Sequence, residues 1–73
     1  MIPLSMATAG KYKVIQIKGG HKFNARLNEL GILEEDIIEV LTNAPGPIFV
    51  KKGDTKVGIG VGMASKIFVQ PLS

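Results

Sequence analysis

His21-Lys22-Phe23-Asn24-Ala25-Arg26-Leu27-Asn28-Glu29-Leu30-Gly31-Ile32 is the stretch on which the fold turns. Phe23, Leu27 and Leu30 stand at i, i+4 and i+7 and share one face of a helix, while Lys22, Arg26, Asn28 and Glu29 face away. Gly31 is the stop. If it takes the left-handed conformation just past the last turn, Leu27 and Ile32 become the pair that closes a Schellman motif. The spacing predicts a short, half-buried helix over about residues 21–30, with Asn24 or an earlier start near His21 as its N-terminus. A helix with one apolar stripe has to lie on something, and the chain on both sides of it reads as strand.

Upstream, Tyr12–Ile17 is rich in β-branched residues and is bounded by Gly10 and by Gly19-Gly20, a strand signature. Residues 1–10 lack periodicity and read as an extended lead-in that tucks Ile2 and Leu4 against the core. Downstream, Leu33-Glu34-Glu35-Asp36 reads as a solvated turn, and Ile37–Thr42 as a strand with Ile38 and Val40 on one face. Asn43-Ala44-Pro45-Gly46-Pro47 is a loop, Ile48–Lys51 a short strand, Lys52-Gly53-Asp54 a tight turn, and Thr55–Val61 a strand with Val57, Ile59 and Val61 on one side. Gly58 and Gly60 leave its other side bare, which implies a close backbone approach or a sharply coiled strand. One helical turn over Met63–Lys66 precedes a last strand, Ile67–Val69. The expected fold is mostly β: a small five-stranded antiparallel barrel with one short inserted α-helix at about 21–30. Closing the sheet removes its edges and lets Val14, Leu27, Ile38, Val40, Ile48, Val50, Val57, Ile59, Ile67 and Val69 form one core.

Composition bounds the function. The 73 residues, 45% apolar and 21% charged, suit a single folded domain over 1–73 and not a disordered chain. With no Cys there is no disulfide framework, thiolate zinc site, iron–sulfur cluster or thiol nucleophile. The net charge of +3 is a mild basic bias in which only Lys51 and Lys52 are adjacent. Val57–Ala64, the longest weakly interrupted apolar run, is far short of the roughly 20 residues a membrane-crossing helix needs. Residues 1–6 lack the cationic and apolar parts of a secretory signal, so the expected location is the cytoplasm.

No constellation for catalysis stands out, and the chain is not expected to be an enzyme. Paired titratable groups in a dry pocket are needed for acid–base work, and the carboxylates fall in exposed-looking places. His21 has no second His or Cys to complete a metal site, and the acidic run 34–36 lacks the spaced ligands of a calcium loop. Gly58-Ile59-Gly60-Val61-Gly62 has the wrong spacing for dinucleotide binding, and no phosphate-cradling Gly-Lys-Ser/Thr occurs. Arg26 is the sole guanidinium, set either for a helix ion pair with Glu29 or for a finger on a partner's phosphoryl group. Tyr12, Phe23, Phe49 and Phe68 are the only aromatics, with Phe23 on the core face of the helix.

The order Leu4-Ser5, Gly10-Lys11-Tyr12, Gly19-Gly20, Arg26-Leu27-Asn28-Glu29-Leu30-Gly31-Ile32, Gly46-Pro47-Ile48 and Ala64-Ser65-Lys66-Ile67-Phe68-Val69 resembles the FeoA family over about residues 4–70. The resemblance implies an SH3-like barrel in ferrous-iron transport, acting beside FeoB, a membrane transporter with a cytosolic GTPase domain. It also implies kinship with domains of metal-dependent repressors. The expected partner is therefore an FeoB-type transporter, through its GTPase domain or its membrane part, with the protein at the inner face of the cytoplasmic membrane only through that partner. The expected contact residues are Lys22, Arg26, Asn28 and Glu29 on the outer side of the helix. No catalytic residue, cofactor or nucleic acid is implied; weak divalent transition-metal binding by carboxylates stays open. The alternative is a small basic barrel that binds nucleic acid. One departure matters locally. The family commonly has Pro-Gly where this chain has Glu34-Glu35, so a turn with positive φ at Glu35 carries strain unless it takes type I geometry.

Overall fold

The computed structural model describes residues 1–42 and 46–72. Its elements are β1 (Ile2–Pro3), a 3₁₀ turn (Leu4–Met6), β2 (Gly10–Ile17), α1 (His21–Glu29), β3 (Ile37–Thr42), β4 (Ile48–Lys52), β5 (Thr55–Ile59), α2 (Val61–Ala64) and β6 (Ile67–Pro71). The strands form one antiparallel sheet in the order β1-β6-β2-β3-β4-β5. The mostly β barrel with one short helix is the expected fold. The two-residue β1 joins the five expected strands by pairing Ile2 with Val69 and Pro3 with Phe68. Of the expected loop at 43–47, residues 43–45 lie outside the described residues, and Gly46 and Pro47 fall outside the strands.

The longer strands alternate over much of their length, and the inward set makes the core: Tyr12, Val14, Ile38, Val40, Ile48, Val50, Ile59, Ile67 and Val69 are all buried. Leu27 of α1 and Ile32 close one side of that core, and Leu4, Ala7 and Ala64 close the other. Of the expected core, only Val57 stays half-buried, packed against the cluster from the outermost strand. Tyr12 buries its ring and donates its hydroxyl to the carbonyl of Thr8 at 2.8 Å, so the phenol is satisfied without water.

Three local expectations are corrected. Val61 does not continue β5, because the strand ends at Ile59 and Gly60 is the extended N-cap of α2; Val61 is exposed, and Ala64 takes the inward place. The helical turn accordingly starts at Val61, ahead of the expected Met63. Of the two expected helix starts, the earlier one at His21 is the one observed: Asn24 lies within α1, its N–H donating to the carbonyl of Gly20, the N-cap. The bare face at Gly58 is covered by a side chain rather than a backbone. Phe49 is its cross-strand partner, and the ring would sit 3.1 Å from a Cβ placed there.

The sheet has edges after all. Among the described residues β1 and β5 each pair on one side only. The barrel closes where α2, following β5, packs on the 3₁₀ turn following β1, a side-chain seam in place of a hydrogen-bond ladder.

Candidate functional site

Sequence places α1 and the turn after it side by side, and their backbones are fixed by complementary devices. At the helix end, Gly31 takes φ +83°, its N–H bonds to the Asn28 carbonyl at 3.0 Å, and the Ile32 N–H bonds to the Leu27 carbonyl at 2.9 Å. This is the expected Schellman motif, with buried Leu27 and Ile32 as its apolar pair. At the start, Gly19 lets Phe23 fold back onto the chain: a Cβ there would meet the ring at 2.1 Å. The Lys66 ammonium lies 5.5 Å from the centre of the same ring.

The turn Leu33–Asp36 is more than solvated acid. The Asp36 N–H bonds to the Leu33 carbonyl at 3.2 Å, and Glu35 has φ +77°, a type II turn with its left-handed position held by glutamate. The turn extends the β2–β3 ladder, since Glu35 N–H donates to Val14 O and Val14 N–H donates to Asp36 O, both at 2.8 Å. Each carboxylate has its own donor. Glu34 accepts from the Ile17 N–H at 3.0 Å, Glu35 faces Lys13 Nζ at 2.9 Å, and Asp36 accepts from the Leu33 N–H at 2.8 Å and from Lys52 Nζ at 2.7 Å. Lys52 also donates to the Gly31 carbonyl, so one ammonium ties the helix end, the turn and β4 together. Burial pushes the Asp36 carboxyl up, but the Lys52 hydrogen bond, the Leu33 N–H and the Lys52 charge outweigh it and hold it below its ordinary 3.8.

All four expected contact residues are exposed, yet the helix splits them. Lys22, Arg26 and Glu29 follow each other at i, i+4 and i+7 on one flank, with Arg26 and Glu29 paired at 3.6 Å. Asn28 stands on the other flank with Asn24. There it lines a cleft of about 280 Å³ whose remaining wall is Ile17, Leu33 and Glu34. Sequence reasoning missed Asn24, Ile17 and Leu33 as companions of Asn28. The i, i+4 spacing of the two asparagines was the available signal, whereas Leu33 enters only through the turn geometry. Leu33, 48% exposed, gives the cleft an apolar lip beside two amides and a carboxylate, a mixed surface suited to a protein partner.

For metal chemistry, no three His, Asp or Glu side chains gather among the described residues, and the three carboxylates of the turn point to three separate donors. His21 is exposed at the first position of α1. No helix among the described residues is long and apolar enough to cross a membrane.

A six-stranded antiparallel sheet, curled around one core, with a single helix inserted after its first long strand, defines a small SH3-like β-barrel. The chain belongs to the FeoA family, whose model, described as the FeoA domain, matches residues 2–71. It is 31% identical over 71 residues to a Methanocaldococcus jannaschii protein named for Fe(2+) transport, transport protein A, covering 96% of this chain and 87% of that one. The crystal structure of an iron uptake regulatory protein (FeoA) superposes with a TM-score of 0.90 at 36% identity, covering 97% of each chain. ScaR, solved with bound Zn2+, contains the same fold in part of a longer chain: TM-score 0.92 at 15% identity, covering 99% of this chain and 37% of that one. At that identity the likeness is one of fold.

Proposed function

We propose that this protein is a cytoplasmic accessory component of ferrous-iron uptake that docks on the cytosolic GTPase region of an FeoB-type transporter and modulates its assembly or activity. The observation that supports this reading is membership of the FeoA family across residues 2–71, together with relatives named for Fe(2+) transport and iron uptake. The outer side of α1 is the proposed contact. Lys22, Arg26 and Glu29 form a charged flank, and Asn28 with Asn24, Leu33 and Glu34 forms the adjoining cleft. The helix is rigidly seated by Leu27 and by the Gly31 stop, so its outer side chains are presented at little further ordering cost.

The chain's role is proposed as partnership and not catalysis. The charge distribution favours this over the nucleic-acid alternative: five of the nine basic residues are engaged, Lys13, Arg26 and Lys52 with carboxylates and Lys18 and Lys66 over the Phe68 and Phe23 rings, and Glu39 interrupts the row of Lys11, Lys51 and Lys56. The deciding experiment is an amide-resonance titration of the protein with the purified GTPase-containing domain of the cognate transporter, in each nucleotide state. The expected result is a contiguous set of shifts within residues 21–34. No shift in any nucleotide state would overturn docking on the soluble domain. Arg26→Ala should weaken binding without changing the fold, and unchanged affinity would remove the charged flank from the interface.

A further inference from the structure

The outward face of β2 to β5 carries a pattern that the reading above does not use. Register places Lys11, Glu39, Lys51 and Lys56 in one row across β2, β3, β4 and β5: Lys11 opposite Glu39, Glu39 opposite Lys51, Lys51 opposite Lys56. The three lysines are exposed, and none of the four side chains has an ion-pair partner among the described residues. Two large apolar side chains flank the row, Ile37 at 52% exposure on one side and Phe49 at 41% on the other. On the Ile37 side of the row lies a cleft of about 240 Å³, lined by Lys11, Ile37, Glu39, Lys51 and Gly53 among others.

We propose that this row is a second docking surface, taking an acidic, extended segment of a partner protein that crosses the strands. Charge complementarity carries the choice of occupant. Lys51 and Lys56 sit side by side at one end of the row and Lys11 at the other, so carboxylates are wanted at both ends. Half-buried Glu39 stands between them and wants a donor, an N–H or a cation. A peptide supplies acids at its ends and a donor at its middle; a phosphate polymer or an anionic bilayer sets uniform negative charge over Glu39. Strands about 4.8 Å apart put the ends of the row roughly 14 Å from each other, a span that five or so extended residues cross. The cleft beside Ile37 accepts one aliphatic side chain from such a segment, and Phe49, laid on Gly58, offers the opposite apolar rail.

The test is an amide-resonance titration of the full chain with a synthetic octapeptide that has glutamates at both ends and a leucine–lysine centre. Vesicles of equal phosphatidylserine and phosphatidylcholine, and an oligothymidylate, are run in parallel. The expected result is saturable shifts at Lys11, Glu39, Lys51 and Lys56, with a Kd of about 0.1–1 mM that weakens at least tenfold in the Lys51→Glu/Lys56→Glu variant. That variant changes only exposed outward side chains, and an unchanged melting temperature verifies its fold. Absence of saturable shifts, shifts confined to α1, equal affinity in the double variant, or tighter binding of vesicles or oligothymidylate would each overturn the proposal. The transporter plays no part in this titration, so failure here is separate from failure of the α1 docking.

Discussion

Two backbone positions four residues apart, Gly31 and Glu35, adopt nearly the same left-handed conformation, φ +83° and +77°, by opposite means. At Gly31 local sequence and fold agree. The residue has no Cβ to clash, the helix-end hydrogen bonds form around it, and the flanking Leu27 and Ile32 bury themselves together. At Glu35 the local preference disagrees with the fold, since an L side chain in this region costs roughly 1–2 kcal/mol. The turn holds because its surroundings over-determine it. Two ladder bonds to Val14, the Glu34 and Asp36 carboxylates on backbone N–H groups, and the Lys52 bridge all require that geometry. The pair shows that a strained residue persists where its neighbours hold the backbone from several sides.

The most disruptive way to break the comparison is to remove what anchors the favourable half. Leu27→Ala should destabilise the protein by about 2–5 kcal/mol, through lost apolar burial and a residual cavity, as read by chemical denaturation. Gly31→Ala should cost about 1–2 kcal/mol, because it gives Gly31 the penalty Glu35 already bears; no loss of stability would mean that the helix end relaxes to another stop. Glu35→Gly should have the opposite sign and a smaller size. Relief of the left-handed conformation is partly offset by unfolded-chain entropy and by loss of the exposed Lys13 pair, leaving a gain of about 0.5 kcal/mol. If it destabilises, the Lys13 contact contributes more than an exposed pair ordinarily does.

The smallest effect is a pH dependence. The Asp36 carboxyl is held below its ordinary 3.8, so its contribution is complete above that value and is lost as pH falls through the lower folded-state value. Asp36→Asn should therefore flatten the acid limb of a stability–pH curve below about pH 4. An acid limb identical in Asp36→Asn and the wild type would assign it to other groups.

Much of this was legible in the sequence, and the parts that were not share a cause. The helix, its stop and the alternating strands follow from local periodicity and glycine chemistry, and Leu27, Val14, Ile38, Val40, Ile48, Val50, Ile59, Ile67 and Val69 fall inward as expected. The helix start was ambiguous because Gly20 caps without a side-chain bond, leaving Asn24 as the tempting signal. Val61 could not be told from a strand residue, since one helical turn of four residues has no period of its own. The acidic turn read as solvated because the donors to its carboxylates come from Ile17 and Lys52, remote along the chain. For the same reason helical spacing put Lys22, Arg26, Asn28 and Glu29 on one outer side, whereas the fold splits Asn28 off into a cleft that needed Ile17 and Leu33 brought in from outside the helix.

The pairing of Ile2 with Val69 places both ends of the barrel on neighbouring strands, and it joins residues from nearly opposite ends of the sequence. Such a contact is the last to become cheap for a folding chain, since the whole loop must close before it forms. Splice the two ends with a short flexible linker, open the chain instead at the tight Gly53-Asp54 turn, and that distant pairing becomes a local hairpin. The β4–β5 pairing becomes the long-range one in exchange. A circular permutant would thus keep the same barrel while moving its slowest closure from the β1–β6 edge to the β5 edge, so the order of assembly is a property of where the chain is cut and not of the folded shape.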